Sequence, residues 1–183
     1  MSPLTIEGFV ILSANGMLAN ASGVMPPELK FPGDQRFFAA ALDRVDLVVH
    51  GRHSGEDHAN SAKRRRIILT RAVRALADDP DNPNATLWNP AGATFADACR
   101  RAGVERGTAA IIGGPTVFGL FLDRFDTFWL SLAPRVMLPG GEPGLPGVPT
   151  RTPQAVLAAH GLHAAETLVL DAENGVSVTA WRR

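Results

Sequence analysis

Three places in this sequence set small or cationic residues at the end of an apolar run, and each could hold an anionic ligand. The first is Ile111-Ile112-Gly113-Gly114-Pro115-Thr116-Val117-Phe118, an apolar strand pattern that runs through two glycines into a helical pattern. Adjacent glycines let a backbone approach a ligand closely, and the free N–H groups that open a helix suit a phosphate. An ordinary strand-to-helix turn that needs positive φ fits the same residues. The run is not G-x-G-x-x-G and has no acidic residue at the matching distance, which disfavours a standard Rossmann site.

The second place is Val48-Val49-His50-Gly51-Arg52-His53-Ser54. Gly51 would permit close approach, Ser54 could cap a following helix, and Arg52 and His53 would add one fixed and one switchable charge. A solvated arginine and a surface histidine are the plainer reading. At the third place, Lys63-Arg64-Arg65-Arg66 leads into Ile67-Ile68-Leu69-Thr70-Arg71. The basic run reads as a solvated face, whereas Arg71 at a strand end is a better ligand candidate. In a parallel sheet the carboxyl ends of the strands open on one edge, so one elongated anion could touch all three junctions.

The elements that would position them are short runs rich in Val, Ile and Leu alternating with helical patterns, the signature of a mainly parallel sheet with helices on both faces. Strands are expected at Gly8–Ser13, Asp46–His50, Arg66–Thr70, Ala85–Trp88, Ala109–Ile112, Thr127–Leu132, Glu166–Leu170 and Val176–Trp181, about eight in all. The last two flank Asp171–Gly175 and read as an antiparallel hairpin. Phe37, Phe38, Ala41 and Leu42 recur at helical spacing after Gly33-Asp34, as do Phe95, Cys99 and Ala102 after Thr94. Thr94 with Asp97 forms a capping-box pattern closed by Gly103, and Thr152-Pro153 opens a last helix that stops at Gly161. The stretches Asp78–Pro83 and Pro139–Pro149 read as loops, so residues 1–183 are expected to form one domain.

Composition sets the outer bounds. The chain has 183 residues, 45% of them hydrophobic, with 18 basic and 18 acidic side chains and no net charge. Neither nucleic acid nor a membrane surface is an expected partner. No long apolar segment occurs, and the single cysteine, Cys99, suits a reducing compartment, so a cytoplasmic location is expected. His50, His58, His160 and His163 show no metal-ligand spacing with Cys99, and no metal is expected.

The order Ser13-Ala14-Asn15-Gly16-Met17-Leu18-Ala19, Gly51-Arg52-His53-Ser54, Leu69-Thr70-Arg71 and Ile112-Gly113-Gly114-Pro115-Thr116-Val117-Phe118 resembles the dihydrofolate reductase-like superfamily, over nearly the whole chain. It is most similar to the reductase domain of the riboflavin-biosynthesis deaminase-reductase. The resemblance implies an α/β fold with a mixed, mostly parallel sheet, and an NADPH-dependent reductase. The reaction implied is hydride transfer to a small nitrogen heterocycle or a related carbonyl or imine, most like 5-amino-6-(5-phosphoribosylamino)uracil reduction. By the same resemblance Ile112 and Gly113 to Val117 would hold the pyrophosphate, and Gly51, Arg52, His53 and Ser54 would hold phosphate groups. Leu69, Thr70 and Arg71 would flank the adenosine 2′-phosphate, and Leu18 and Ala19 would border the nicotinamide.

The substrate side divides between branches. Pro32-Gly33-Asp34-Gln35-Arg36-Phe37-Phe38 is similar to the segment that carries the substrate-binding carboxylate of dihydrofolate reductase, with Asp34 at the matching position and Ser131 where that family has a threonine. The loop Ala19–Pro27 lacks that family's tryptophan. Asn15 stands where the riboflavin reductase's Ser-x-Asp-Gly loop has its aspartate, which makes Asn15 and Ser131 candidate substrate contacts and Asp34 a candidate catalytic carboxyl. Asp34 also meets the requirements of a helix N-cap. A dihydrofolate reductase, or a nucleotide-binding module without catalysis, remains an alternative. Phe128, Trp129 and Leu130 beside Val136–Leu138 are expected to supply the apolar surface of a homodimer.

Overall fold

The computed structural model describes residues 3–183. Strand β1 (Thr5–Ser13) runs into a short β2 (Met17–Ala19), and α1 (Pro32–Leu42) leads to β3 (Leu47–Gly51). After a loop come β4 (Arg66–Leu69), β5 (Leu76–Asp79) and β6 (Asn82–Trp88), then α2 (Phe95–Ala102), β7 (Thr108–Ile111), α3 (Pro115–Phe121) and β8 (Thr127–Ala133). The chain ends with β9 (Glu142–Pro143), α4 (Pro153–Ala159), β10 (His163–Asp171) and β11 (Val176–Arg182).

Among the described residues, nine strands form one sheet in the order β10-β11-β8-β1-β7-β3-β4-β6-β5, and β2 pairs with β9 in a small second sheet. The five strands β8, β1, β7, β3 and β4 pair in parallel with one another, as does β6 with β4, while β5, β10 and β11 are antiparallel. The mixed, mostly parallel sheet of the sequence reading is therefore present, as is the final hairpin.

Period-two alternation splits the core into two layers. Leu47, Val49, Ile67, Ile111, Phe128 and Leu130 pack with Phe95, Val117, Phe118, Phe121 and Leu157 of α2, α3 and α4. Val48, Phe9 and Ala110 face the other way, against Ala41, Leu42, Phe37 and Phe38 of α1. Helix α2 begins at the expected capping box: the Asp97 N–H donates to Thr94 Oγ1 and the Thr94 N–H to Asp97 Oδ2, each at 3.1 Å, and Gly103 closes the helix at φ +72°. Thr152 likewise accepts from the Ala155 N–H at 3.1 Å to start α4.

Four expectations need correction. Asp78–Pro83 spans the end of β5, a tight turn and the start of β6 rather than a loop: Asp78 and Asp79 lie on an edge strand, Pro80 in the turn, and Pro83 on β6 ahead of Ala85, the first residue there to face a partner on β4. Part of Pro139–Pro149 forms β9. Ser54 caps no helix, since the chain after it is irregular up to a 3-10 turn at Ser61–Lys63. Within the stretch expected to supply a dimer surface, Phe128 and Leu130 are turned into the core of the chain itself, and of Val136–Leu138 Met137 is exposed. Trp129 stacks on Phe9 and donates its indole N–H to Glu7 at 2.9 Å.

Candidate active site

The parallel register brings the three junctions together. Strand β3 lies between β7 and β4, with Val49 level with Ile111 and Gly51 level with Leu69. Gly51, Gly113 and Thr70 thus sit at the carboxyl ends of neighbouring strands. The Gly51 N–H donates to the Gly113 carbonyl at 2.8 Å, and the Ile112 N–H to the Val49 carbonyl at 3.0 Å. The Gly113–Gly114 peptide is cis, and Gly113 holds φ +118°, a region open to glycine. A Cβ on Gly114 would stand 3.2 Å from Ser54 Oγ, and one on Gly51 3.5 Å from Val117 Cγ2. The φ of Gly113 and the close approach of Ser54 to Gly114 favour glycine at those two positions, and the floor of the cradle is backbone from β3, β7 and the start of α3. Pro115 and Thr116 begin that helix, and Val117 is buried beneath it.

Around the cradle, Arg52 and His53 are exposed and Ser54 half-buried. One strand further along, Thr70 is buried: its N–H donates to the Trp88 carbonyl at 2.9 Å and its hydroxyl accepts from the Ala72 N–H at 3.0 Å. That turn leaves Arg71 exposed at the sheet edge. Exposed cations beside a glycine-lined backbone floor are groups that could hold an anion.

Asp34 is not the cap of α1. Phe31 occupies that position, Pro32 starts the helix, and no side chain caps it. Asp34 is the helix's third residue and is only 8% exposed. The helix lies on the face of the sheet where β8 presents Ser131, itself buried. Burial pushes the Asp34 carboxyl above its ordinary pKa, and the neighbouring Ser131 hydroxyl pulls the other way. Asp34 and Ser131 are therefore brought together as a buried polar pair.

Asn15 serves a different arrangement. Its carboxamide oxygen accepts from the Ser13 hydroxyl at 2.6 Å and the Leu138 N–H at 3.1 Å, while its NH2 donates to the Leu138 carbonyl at 3.0 Å. These bonds fasten the β1–β2 turn to the loop before β9. Ala19 is buried in β2 and Leu18 packs against the main core.

Lys63–Arg66 is a solvated face only in part: Lys63 and Arg65 are exposed, Arg64 is half-buried and Arg66 is buried. Arg66 is 5% exposed because it stands on β4 level with Val48, on the α1 side of the sheet. Its Nη2 donates to Glu56 Oε1 at 2.8 Å, and its Nη1 reaches His50 Nε2 at 2.9 Å. Arg64 donates to Glu56 Oε2 at 2.7 Å and to Asp43 Oδ1 at 2.7 Å. Burial raises the Glu56 carboxyl, but the hydrogen bonds from Arg66 and Arg64 outweigh it and hold the group below its usual range. Nothing in the sequence marks Glu56, rather than its neighbour Asp57 in the same polar loop, as the partner of two arginines eight and ten residues later.

Among the described residues, no cluster of three His, Cys, Asp or Glu side chains is placed to hold a metal ion, and no helix is long and apolar enough to cross a membrane. No family model and no curated protein matches the sequence. Solved structures do. Enterococcus faecalis dihydrofolate reductase, in a complex with NADP(H) and RAB-propyl, superposes with a TM-score of 0.65 at 17% identity, over 98% of this chain and 96% of that one. A Shewanella sp. PV-4 protein assigned to riboflavin biosynthesis gives 0.65 at 18% identity, over 98% and 99%. The Thermotoga maritima diaminohydroxyphosphoribosylaminopyrimidine deaminase/5-amino-6-(5-phosphoribosylamino)uracil reductase gives 0.67 at 13% identity, and this chain spans 98% of itself but 56% of that protein. With the parallel sheet, the glycine cradle and these superpositions together, the chain has the dihydrofolate reductase-like fold.

Proposed function

We propose that the chain is an NADPH-dependent reductase of a small nitrogen heterocycle, most like the 5-amino-6-(5-phosphoribosylamino)uracil reductases. The observation that carries this reading is a buried carboxyl, Asp34 of α1 beside Ser131 of β8, packed against the same sheet whose strand ends form the Gly51–Gly113 cradle. NADPH would supply the hydride when bound. Backbone at Gly51, Gly113 and Gly114 would seat its pyrophosphate, with Ile112, Pro115, Thr116 and Val117 shaping the walls. Arg52, His53 and Ser54 would take phosphate oxygens, while Leu69, Thr70 and Arg71 would border the 2′-phosphate. Leu18 and Ala19 would line the nicotinamide end.

Asp34 would orient the substrate by hydrogen-bonding an amino-pyrimidine edge. Its raised proton affinity suits a group that holds or passes a proton at a ring nitrogen while hydride arrives from the other side. Ser131 would fix the carboxyl's orientation. Asn15 acts indirectly in this scheme, by holding the turn that carries Leu18. Measuring NADPH binding, then loss of nicotinamide absorbance with the phosphoribosylamino-pyrimidine and with dihydrofolate, tests the reading. Turnover of the pyrimidine supports it, turnover of dihydrofolate alone moves the chain to the folate branch, and tight binding without turnover leaves a nucleotide-binding module.

The homodimer belongs, in this reading, to strand β10. It pairs only with β11 among the described residues and leaves Leu168 and Val169 exposed at a free sheet edge. A two-fold axis at Thr167 would set Val169 opposite the second copy's Ala165 and Asp171 opposite its His163. A reducing, cytoplasmic setting accords with the buried, unpaired Cys99.

A further inference from the structure

We infer that His50 is a positioning residue: as a neutral imidazole, and only in that state, it holds the Gly51–Ser54 turn in place. The consequence for cofactor affinity rests on the reading of that turn as a phosphate seat. His50 ends β3 on the α1 side of the sheet, 4% exposed. Its Nδ1 lies 2.7 Å from the Gly51 carbonyl oxygen, which can only accept, so Nδ1 carries the proton. Its Nε2 lies 2.9 Å from Arg66 Nη1, which can only donate, so Nε2 is bare. Both contacts are satisfied by one tautomer of the uncharged ring and by no other state.

The Gly51 carbonyl that His50 grips also accepts the Ser54 N–H at 3.1 Å. One oxygen thus ties the strand end, the imidazole and the turn together, and Ser54 is the residue that stands against Gly114 across the cradle. The loop continues directly over the ring, where a Cβ on Gly55 would be 3.3 Å from His50 Cε1. Two charged groups face His50: Arg66 from β4 and Glu56 from the loop. Behind them, Arg64 and His58 both approach Glu56, and Asp43 after α1 holds Arg64.

Protonating Nε2 would set an N–H against the Arg66 guanidinium, donor to donor and cation to cation, in a site shielded from water. Desolvation, and then the Arg66 charge, lower the His50 pKa from 6.5, against the pull of the Gly51 carbonyl and Glu56. The sign follows: the ring's hold on the turn is complete above pH 6.5 and is lost as pH falls through the depressed folded pKa.

The test is a pH titration by NMR of the Ser54 amide and the His50 ring, in a His53→Gln background that removes the exposed imidazole of the same turn. NADPH titrations are run at pH values on either side of the His50 midpoint. The Ser54 amide should shift with the midpoint of His50, below 6.5, and the NADPH dissociation constant should rise about three- to tenfold across that range, the worth of about one hydrogen bond. His50→Gln should abolish both pH steps. If that variant fails to fold, the two curves in the His53→Gln protein decide by themselves. A Ser54 amide that stays flat while His50 titrates overturns the proposal, as does an equal pH step in His50→Gln. A protein that never binds NADPH would end the reductase reading, and the NMR titration would still decide whether His50 holds the turn.

Discussion

Replacing Glu56 by glutamine should damage the fold more than any other single loss of charge on this surface. The Glu56 side chain is 4% exposed and lies between guanidiniums that are 5% and 8% exposed, with three of its contacts to them or to His58. Glutamine fills the same volume and can still accept one bond at its carbonyl oxygen. Its NH2, however, would face an arginine donor, and two buried cations would share no carboxylate. Breaking a buried pair at one partner is worth about 3–5 kcal/mol. The lower figure applies here, because Asp43 still reaches Arg64. About 3 kcal/mol lowers the melting temperature of a domain this size by roughly 6–12 °C. Thermal and urea melts at neutral pH measure it, with Asp43→Asn, an exposed partner of Arg64, as a control expected to leave the midpoint unchanged. Acid gives a second reading. Because the folded pKa of Glu56 lies below 4.5, its contribution is present above that pH and disappears as pH falls through the folded value. The difference between wild type and Glu56→Gln should therefore shrink in acid. Midpoints within 1 °C of each other at neutral pH, or a gap that widens on acidification, would refute the assignment of Glu56 as the carboxylate on which the two arginines depend.

Asp34→Asn should lower turnover by orders of magnitude with NADPH affinity intact. It should also raise thermal stability at neutral pH: burial raises the folded pKa, so the wild-type carboxyl loses stability as pH climbs through that value, and the gain should vanish in acid. Full activity in the variant would remove Asp34 from the chemistry. Arg52→Ala and Arg71→Ala should each weaken NADPH binding by about one to two powers of ten, the worth of a charge-assisted phosphate bond. NADH binding should hardly change, and added salt should narrow the gap between the cofactors; equal losses for both would assign these arginines elsewhere. Val169→Lys should convert a dimer to a monomer in sedimentation velocity without altering the melting curve, whereas a dimer that survives it would clear β10 of the role.

What could be read in advance follows from which interactions are local. The capping box at Thr94, the turn at Gly113-Gly114 and the strand at Val48–His50 are each specified within a few residues, so pattern and turn chemistry disclose them. A parallel sheet then aligns the strand ends without further information, and for that reason the Gly51, Thr70 and Gly113 junctions meet as expected.

The misreadings arise where a polar residue's meaning depends on a distant partner. Asp34 satisfies the local pattern of a cap, yet Pro32 starts the helix two residues earlier and turns the carboxyl toward Ser131, nearly a hundred residues away in the chain. Lys63–Arg66 carries the composition of a solvated run, but strand geometry sends Arg66 inward, where Glu56 is already waiting in the loop above His50. Charge density in a sequence window reports how many ions a segment holds, and only the register of the strand decides which of them leaves water. Arg65 and Arg66 make the point side by side: alternation exposes the first, whose guanidinium bonds the Ala102 carbonyl at the surface, and buries the second beneath the turn proposed to bind the cofactor.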